Sequence, residues 1–532
     1  MIDAIVKAKL KKDFKKENHP YGDFIKLRKG ENLPEPTKGA IVVGPIRMSV
    51  EAHLFEGLIG YLFRLKRYKV YALLCGKKLS ACESKPLDSK LGFLKCSTCL
   101  AKQEAFCETF GIEPLWLNDY ISKEEDAKIE NAVDGFSIGN MLFEGIDLSL
   151  SIESGIMRVL KTSQLTTSEN KYIKQFGRSA AQTFTASKNI LNAIKPKSVI
   201  MSHGTYATWG SLQQACEVTE THTAVWGRGY VGKGNVMAAH NKSYLFQNTL
   251  ESIDNFKDLE LSEEQTKKIQ DYFYNKRNPN KKVDYVNYYS TNDTLKEYAN
   301  IFEILNISKE KPLIGMFPNI PWDGQAFSSS ELFPTIREFI TESIEWVKGQ
   351  DVNIVIRAHP AEHHVRSDGQ VETFKDVLFE LYPELPDNVH FLDADSDISS
   401  YLIEKDVCVA LLYAGTIGLE FSMNHTPVIQ AGKNFNSNKG FIFEPESKEH
   451  FGELLDMATR VGLDYSEEMY QNCLKYAYHW IYRRHFPETV VNFEGAQVYK
   501  SYNLKNSSDL LNDPSMTRFI QCVEKKEDFV FG

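Results

Sequence analysis

"DVNIVIRAHPAEHH", residues 351–364, carries an apolar run directly into Arg357, His359 and Glu362. Val352–Ile356, with Asn353 inside it, reads as a buried strand. The three side chains therefore stand just past its carboxyl end, the edge at which open α/β sheets bind ligands. Pro360 biases the residue before it toward an extended conformation, which presents the His359 imidazole in a defined direction. The same grammar surrounds this strand in "KPLIGMFPNIPWD" (311–323), "NVHFLDAD" (388–395) and "VCVALLYAGTIGLEFSMNHTPVIQAG" (407–432). In the last of these, a strand over 407–413 ends in Ala414-Gly415-Thr416 and a helix follows at once. A short strand, 427–430, then runs into Ala431-Gly432-Lys433. Strands alternating with helices build a parallel sheet covered on both faces.

The N-terminal half repeats the pattern. "KGAIVVGPIRMSVEAHLFEGLIGYLFRLKRYKVYALLCG" (38–76) gives strand, glycine turn, amphipathic helix and second strand. "KPKSVIMSHGTYATWGSLQQACEV" (195–218) runs strand 198–202 into a turn at His203-Gly204 and then a helix, and "HTAVWGRGYV" (222–231) adds a strand. Between them residues 150–195 read as helix, and 250–305 as polar and mostly helical before the β/α grammar restarts. A chain of 532 residues exceeds what one core supports. The expectation is an α/β protein of two parallel-sheet, Rossmann-like domains with a cleft between them. Its parts are an N-terminal arm (1–35), a first domain (36–305) with a cysteine-rich insert (75–107), a second domain (306–475) and a C-terminal helix and tail (476–532). In "YAYHWIYRRHFPETVVNF" (476–493) the aromatic stripe reads as core packing with Arg483 and Arg484 nearer solvent, and the last ~30 residues read as loosely attached.

A net charge of −9 with interspersed signs argues against nucleic acid as a partner. No apolar run approaches the ~18–20 residues that span a bilayer, and no secretory signal opens the sequence, so a cytoplasmic location is expected. The first twenty residues are lysine-rich, and Ile2, Val6, Leu10 and Phe14 recur every four positions. That is a basic amphipathic helix, read as a solvated arm or, alternatively, as a weak peripheral contact with an anionic membrane surface.

Three chemistries compete for the opening stretch. His359, His363 and His364 are candidate metal ligands, but the HExxH pattern is absent and adjacent helical residues diverge by ~100°. A nucleophilic serine lacks its Gly-x-Ser-x-Gly elbow. Anion binding suits the residues better, since a guanidinium offers a bidentate fork and the imidazole a further donor. The turn Gly415-Thr416 would add a helix N-terminus and a hydroxyl, and Glu420 one turn later would accept from ribose hydroxyls. Separately, Cys75, Cys82, Cys96 and Cys99 allow a structural zinc site, with an iron–sulfur cluster or free thiols as the competing readings; Cys216, Cys408 and Cys473 read as core.

"FPNIPWD", "IRAHPAEH" and "AGTIGLEFSMNHTPVIQAGK" together resemble the C-terminal half of the capsule or surface polysaccharide biosynthesis glycosyltransferases, which include the Kdo transferases of capsule assembly. The His-Pro pair followed by a Ser/Thr turn is also similar to bacterial sialyltransferases and teichoic-acid glycerophosphotransferases, both users of cytidine-nucleotide donors. The resemblance is clear over about 310–445 and looser over 38–245. It implies the GT-B architecture, in which 36–305 would take the acceptor, 306–475 the nucleotide-sugar donor, and 476–532 would cross back. Arg357 and His359 would hold the donor phosphate with Gly415, Thr416, Gly418 and Lys433. Glu420 would face the nucleoside, with Asn319 and Asp323 beside the cleft. Asp134, in an Asp-Gly pair, formally matches the sialyltransferase general base, with His203 and His53 as rivals. No catalytic metal is implied. The expected activity is transfer of a sugar from a nucleotide-activated donor, CMP-linked such as Kdo or a sialic-acid-like sugar, to a growing surface glycan. The alternatives are a UDP-sugar 2-epimerase-like enzyme and a non-catalytic glycan-binding scaffold on the same fold.

Overall fold

Three apolar strands begin the first sheet: β1 (Ala40–Val43), β2 (Lys69–Leu74) and β3 (Glu113–Trp116), each parallel to its neighbour. A small hairpin, β4 (Leu142–Phe143) with β5 (Ile146–Asp147), lies outside it. β6 (Ser198–Ser202), β7 (Thr223–Arg228) and β8 (Val236–His240) complete the order β3-β2-β1-β6-β7-β8, with only β8 antiparallel. Counted along this sheet alone, that is the 3-2-1-4-5-6 order of Rossmann folds. The second sheet contains β9 (Leu313–Met316), β10 (Asn353–Arg357), β11 (Val389–Leu392), β12 (Val409–Leu412) and β13 (Val428–Gln430) in the order β11-β10-β9-β12-β13, all parallel. A further hairpin, β14 (Val491–Glu494) with β15 (Val498–Tyr502), ends the strand list. This computed structural model describes the chain except residues 1, 49, 85–91, 233, 244–250, 279–280, 282, 284–299, 324–329, 366–370 and 495–497.

The chain divides into two compact units: unit 1 is 1–159, 165–244 and 482–532, and unit 2 is 160–164 and 245–481. Two Rossmann-like sheets in one chain whose last segment rejoins the first unit give the connectivity expected of the GT-B architecture. The division falls at 244/245 and not at 305/306 as expected from the restart of the β/α pattern. Its cause is side-chain chemistry that binds the polar stretch to unit 2. Arg277 grips Glu404 through both Nη atoms (2.5 and 2.9 Å), Gln265 Nε2 donates to the Tyr478 hydroxyl (2.8 Å), and the Ile301 amide donates to Asp406 (3.3 Å).

In unit 1 the helices Val50–Leu65 and Gly92–Phe110 press together because Gly57 leaves room for the Phe110 ring; a Cβ there would collide with it. Against this layer pack Phe14, Tyr21 and Phe24, with Leu10 beside them. The N-terminal helix Ile2–Phe14 is thus no solvated arm, and Leu10 and Phe14 face its own chain and not a membrane. Among the described residues no helix is long and apolar enough to cross a membrane. The C-terminal segment corrects a second expectation. Phe486, Val490, Val491, Phe519, Ile520, Val523 and Phe529 all belong to the same buried cluster, so the tail is core. Arg484, expected near solvent, is 3% exposed and donates to the Phe529 carbonyl (3.2 Å).

Because unit 1 closes its core with residues from the far end of the chain, deleting 482–532 is expected to abolish its unfolding transition while unit 2 still melts. Calorimetry checks this, and a truncated chain that keeps both transitions contradicts the packing.

Candidate functional site

At the carboxyl end of β10 the sequence places Arg357, and the structure gives it a different task from the one expected. It is 3% exposed. Its Nε donates to Ile398 O (2.8 Å), Nη1 to Ala358 O (2.8 Å) and Asp393 O (2.6 Å), and Nη2 to Ser396 O (3.1 Å). A guanidinium has five donors, and here four bonds go to backbone carbonyls, three of them in the loop after β11. Arg357 is therefore a clamp on that loop, with its donors spent on carbonyls where the sequence pattern led one to expect a phosphate.

Two residues on stands His359. The Ala361 amide donates to its Nδ1 (3.1 Å), which fixes the proton of the neutral ring on Nε2. Burial lowers its pKa to about 4, with Arg357 acting in the same direction and the nearby carboxylates of Asp323 and Glu420 opposing. At neutral pH the site thus holds an uncharged imidazole whose Nε2–H is a donor. Glu420, on the helix Ile417–Ser422, has its carboxylate in an ion pair with Lys276 (3.1 Å) and hydrogen-bonded by the Tyr401 hydroxyl. Thr416 occupies the N-cap position, but its hydroxyl makes no capping bond. With six residues, that helix supplies a weaker dipole than the sequence pattern promised. What holds the turn is Gly415, whose carbonyl accepts from Asn434 Nδ2 and Asn436 Nδ2 (3.1 Å each). Gly418 is required by packing, since a Cβ would lie 2.8 Å from Asn436 Nδ2 and 2.9 Å from Leu412 Cδ1. Asn319, after β9, donates to Ile320 O (3.2 Å), and its buried Oδ1 has no hydrogen-bond partner among the described residues. Asp323 is exposed, as is Lys433, whereas Lys439 is fully buried and donates to Ser437 O (2.7 Å). His363 is exposed, and the side chain of His364 lies outside the described residues.

Unit 1 gathers a second group at the carboxyl ends of β1, β6 and β7. His203 follows β6 with φ +60°, and Gly204 (+65°) and Tyr206 (+66°) share the left-handed region. Two bulky residues held there mark stored backbone strain, which proteins concentrate at working sites. The His203 ring stacks on Trp209 (5.5 Å between centroids), and its Nδ1 shares a hydrogen bond with Ser202 Oγ (2.5 Å). Burial lowers its pKa to about 3, helped by Arg47, Arg158, His53 and Arg228. Arg47, which sequence reading missed, lies 4.2 Å over the Trp209 ring, ion-paired to Glu83 (3.1 Å) and donating to Ser84 Oγ (2.8 Å). The signal was present, since Arg47 follows a glycine-proline turn directly after β1. His53 also approaches Trp209 (5.9 Å) but is buried against Glu56 (Nδ1 to Oε2, 2.8 Å), whose other oxygen accepts from Trp226 Nε1 (3.0 Å). Asp134 is a surface residue at the end of the helix Lys123–Val133, 73% exposed and paired with Lys174 (2.8 Å). Of the three base candidates, then, the two histidines are brought together and Asp134 is not.

None of the four zinc candidates Cys75, Cys82, Cys96 and Cys99 is in a disulfide. Among the described residues no set of three His, Cys, Asp or Glu side chains converges on a metal position. Cys99 Sγ instead accepts from the Met48 amide (3.4 Å), and burial raises the pKa of Cys82 to about 12 and of Cys99 to about 11.

No family model matches the chain and no curated protein matches it in sequence. Among solved structures it is similar to a β-Kdo 2,4-transferase, KpsC of Thermosulfurimonas dismutans, at 11% identity and TM-score 0.34, over 53% of this chain and 79% of that one. The β-Kdo 2,7-transferase of the same organism's KpsC follows at 10% identity and TM-score 0.33, over 64% and 89%. A putative UDP-N-acetylglucosamine 2-epimerase from Listeria monocytogenes aligns at 11% identity and TM-score 0.28, over 93% and 100%.

Two expectations follow from this geometry. Replacing Arg357 with Met strips donors from four carbonyls at a buried position and should cost about 3 kcal/mol in urea unfolding; an unchanged midpoint would show that the clamp is dispensable. Stability should also fall with acid. His203 and His359 titrate near 3 and 4 when folded but near 6.5 when unfolded. Their contribution is complete above pH ~6.5 and is lost as protons bind the unfolded chain, between ~6.5 and ~4 for His359 and down to ~3 for His203. A double His203→Asn, His359→Asn variant should show a flatter melting-temperature profile across that window than the parent.

Proposed function

We propose that the protein is a nucleotide-sugar-dependent glycosyltransferase in which unit 2 binds the donor and unit 1 the acceptor. The observation that carries this reading is the grouping in unit 2, past the parallel strands, of a neutral His359 donor with the Glu420 carboxylate and Asp323, beside the Gly415-Thr416 turn. The imidazole Nε2–H would donate to the donor phosphate and stabilise charge developing on the leaving nucleotide. Glu420 accepts from the ribose. In unit 1, His203 sits unprotonated at neutral pH on a strained turn beside Arg47 and Trp209 and is the group we assign to take the acceptor hydroxyl proton, a role for which its pKa of about 3 must rise once the acceptor is bound. The resemblance in "IRAHP" and "AGTIGLEF" implies a cytidine donor, with Kdo or a sialic-acid-like sugar as the group moved and a surface glycan as acceptor. The reading needs no metal at the transfer step, and a soluble or peripheral enzyme at the inner membrane face would serve it.

Thermal unfolding in the presence of CMP, CDP, UDP and GDP tests the donor site. A ligand at a hundred times its Kd should add about 2.7 kcal/mol of stability, expected for CMP and lost in His359→Ala. Stabilisation by UDP, with turnover that needs no acceptor, would favour the epimerase alternative. Silence toward every nucleotide would leave the scaffold reading. In the acceptor unit, His203→Asn should keep the nucleotide response yet lower transfer by about 10²–10⁴-fold; full transfer activity would remove His203 as the base.

A further inference from the structure

The Glu420 carboxylate in unit 2 is held by groups that come from elements far apart in sequence. Lys276, the last residue of the helix Glu263–Lys276, places its ammonium 3.1 Å from one oxygen. The Tyr401 hydroxyl, from the helix Ser400–Glu404, donates to the other. Arg277 lies 4.8 Å from the Tyr401 ring and donates to the Glu420 backbone carbonyl (3.0 Å). The Glu420 side chain is only 7% exposed, and its charge is felt by the His359 imidazole, so it belongs to the candidate site.

The end of this helix is anchored by Arg277 through the paired bonds to Glu404, whose side chain is wholly buried and also accepts from Thr426 Oγ1 (3.1 Å) and Asn424 Nδ2 (3.3 Å). The ammonium and the phenol instead take one lone pair on each carboxylate oxygen. A carboxylate offers about four acceptor sites, so one remains on each oxygen, and a vicinal diol presents two hydroxyls to match them. Lys276 also cancels a negative charge beside a place where an anion is to bind, which Asp323 alone already opposes.

Resting on the reading of this site as a nucleotide site, we propose that Lys276 and Tyr401 are positioning residues that lock Glu420 for a ribose diol and make the site select ribonucleotides over 2′-deoxynucleotides. The experiment is calorimetric titration of the full chain with CMP, UDP and their 2′-deoxy counterparts, for the parent, Lys276→Met, Lys276→Arg and Tyr401→Phe. Losing one of two hydrogen bonds to a charged group corresponds to roughly tenfold in Kd. The parent should therefore prefer whichever ribonucleotide it binds by about that factor. Lys276→Met should bring the ribo-to-deoxy ratio near one, Tyr401→Phe should lower it, and Lys276→Arg should restore it. A merely structural lysine would weaken both ligands together and leave the ratio unchanged. A parental ratio in Lys276→Met, with nucleotide still bound, overturns the positioning role and leaves the donor site standing. Failure of the parent to bind any of the four overturns the donor-site reading and the inference with it.

Discussion

Four backbone carbonyls pointed at one buried guanidinium determine how the second unit presents its chemistry. The loop after β11 has no regular structure to satisfy its polar groups, and a buried carbonyl left without a donor is costly. Arg357 supplies the donors from the end of β10, which ties the loop to the strand that also delivers His359 two residues later. The imidazole then inherits the rigidity of the clamp. Its tautomer is set by one backbone amide and its charge state by burial. The guanidinium charge here is thus used for architecture, and the imidazole two residues on is neutral.

Unit 1 uses a different device. Its strand ends are held by strain and by aromatic surface, with Trp209 as the common platform for Arg47, His203 and His53. Trp209 is itself fixed by its Nε1–H bond to the Gly44 carbonyl at the end of β1 (2.8 Å). Two strands far apart in sequence therefore share one indole. The left-handed backbone at His203 and Tyr206 is tolerated because the surrounding packing over-determines it.

Much of this was legible in the sequence because local pattern and global fold agree. Buried parallel strands such as Ile354–Ile356 and Val199–Met201 have no polar face, so the apolar runs marked them, and the turns that follow marked their carboxyl ends. What escaped depends on partners distant along the chain. Nothing near Arg357 announces that carbonyls forty residues later will claim it, and nothing near Lys276 announces Glu420. The N-terminal stripe of Leu10 and Phe14 was read correctly as an apolar face and wrongly as an unpartnered one, because an amphipathic pattern says that a face is covered and not by what. The C-terminal tail misled through its polar average, when the spacing of Met516, Phe519, Ile520 and Val523 already marked one buried face of a helix.

The core of unit 1 has a temporal side. Its sheet is assembled from the first 244 residues, yet the cluster around Phe55 and Trp226 is closed by Phe519, whose ring lies 4.9 Å from that of Phe55. On a ribosome those partners emerge after the whole of unit 2. Unit 2, contiguous from 245 to 481 apart from the strap 160–164 made before it, has all of its residues in hand earlier. Synthesis would then reverse the usual order of domain completion, with the downstream unit finished first and the upstream one waiting, partly apolar and exposed, until residues 482–532 emerge. A nascent chain of this design depends on being shielded during that interval.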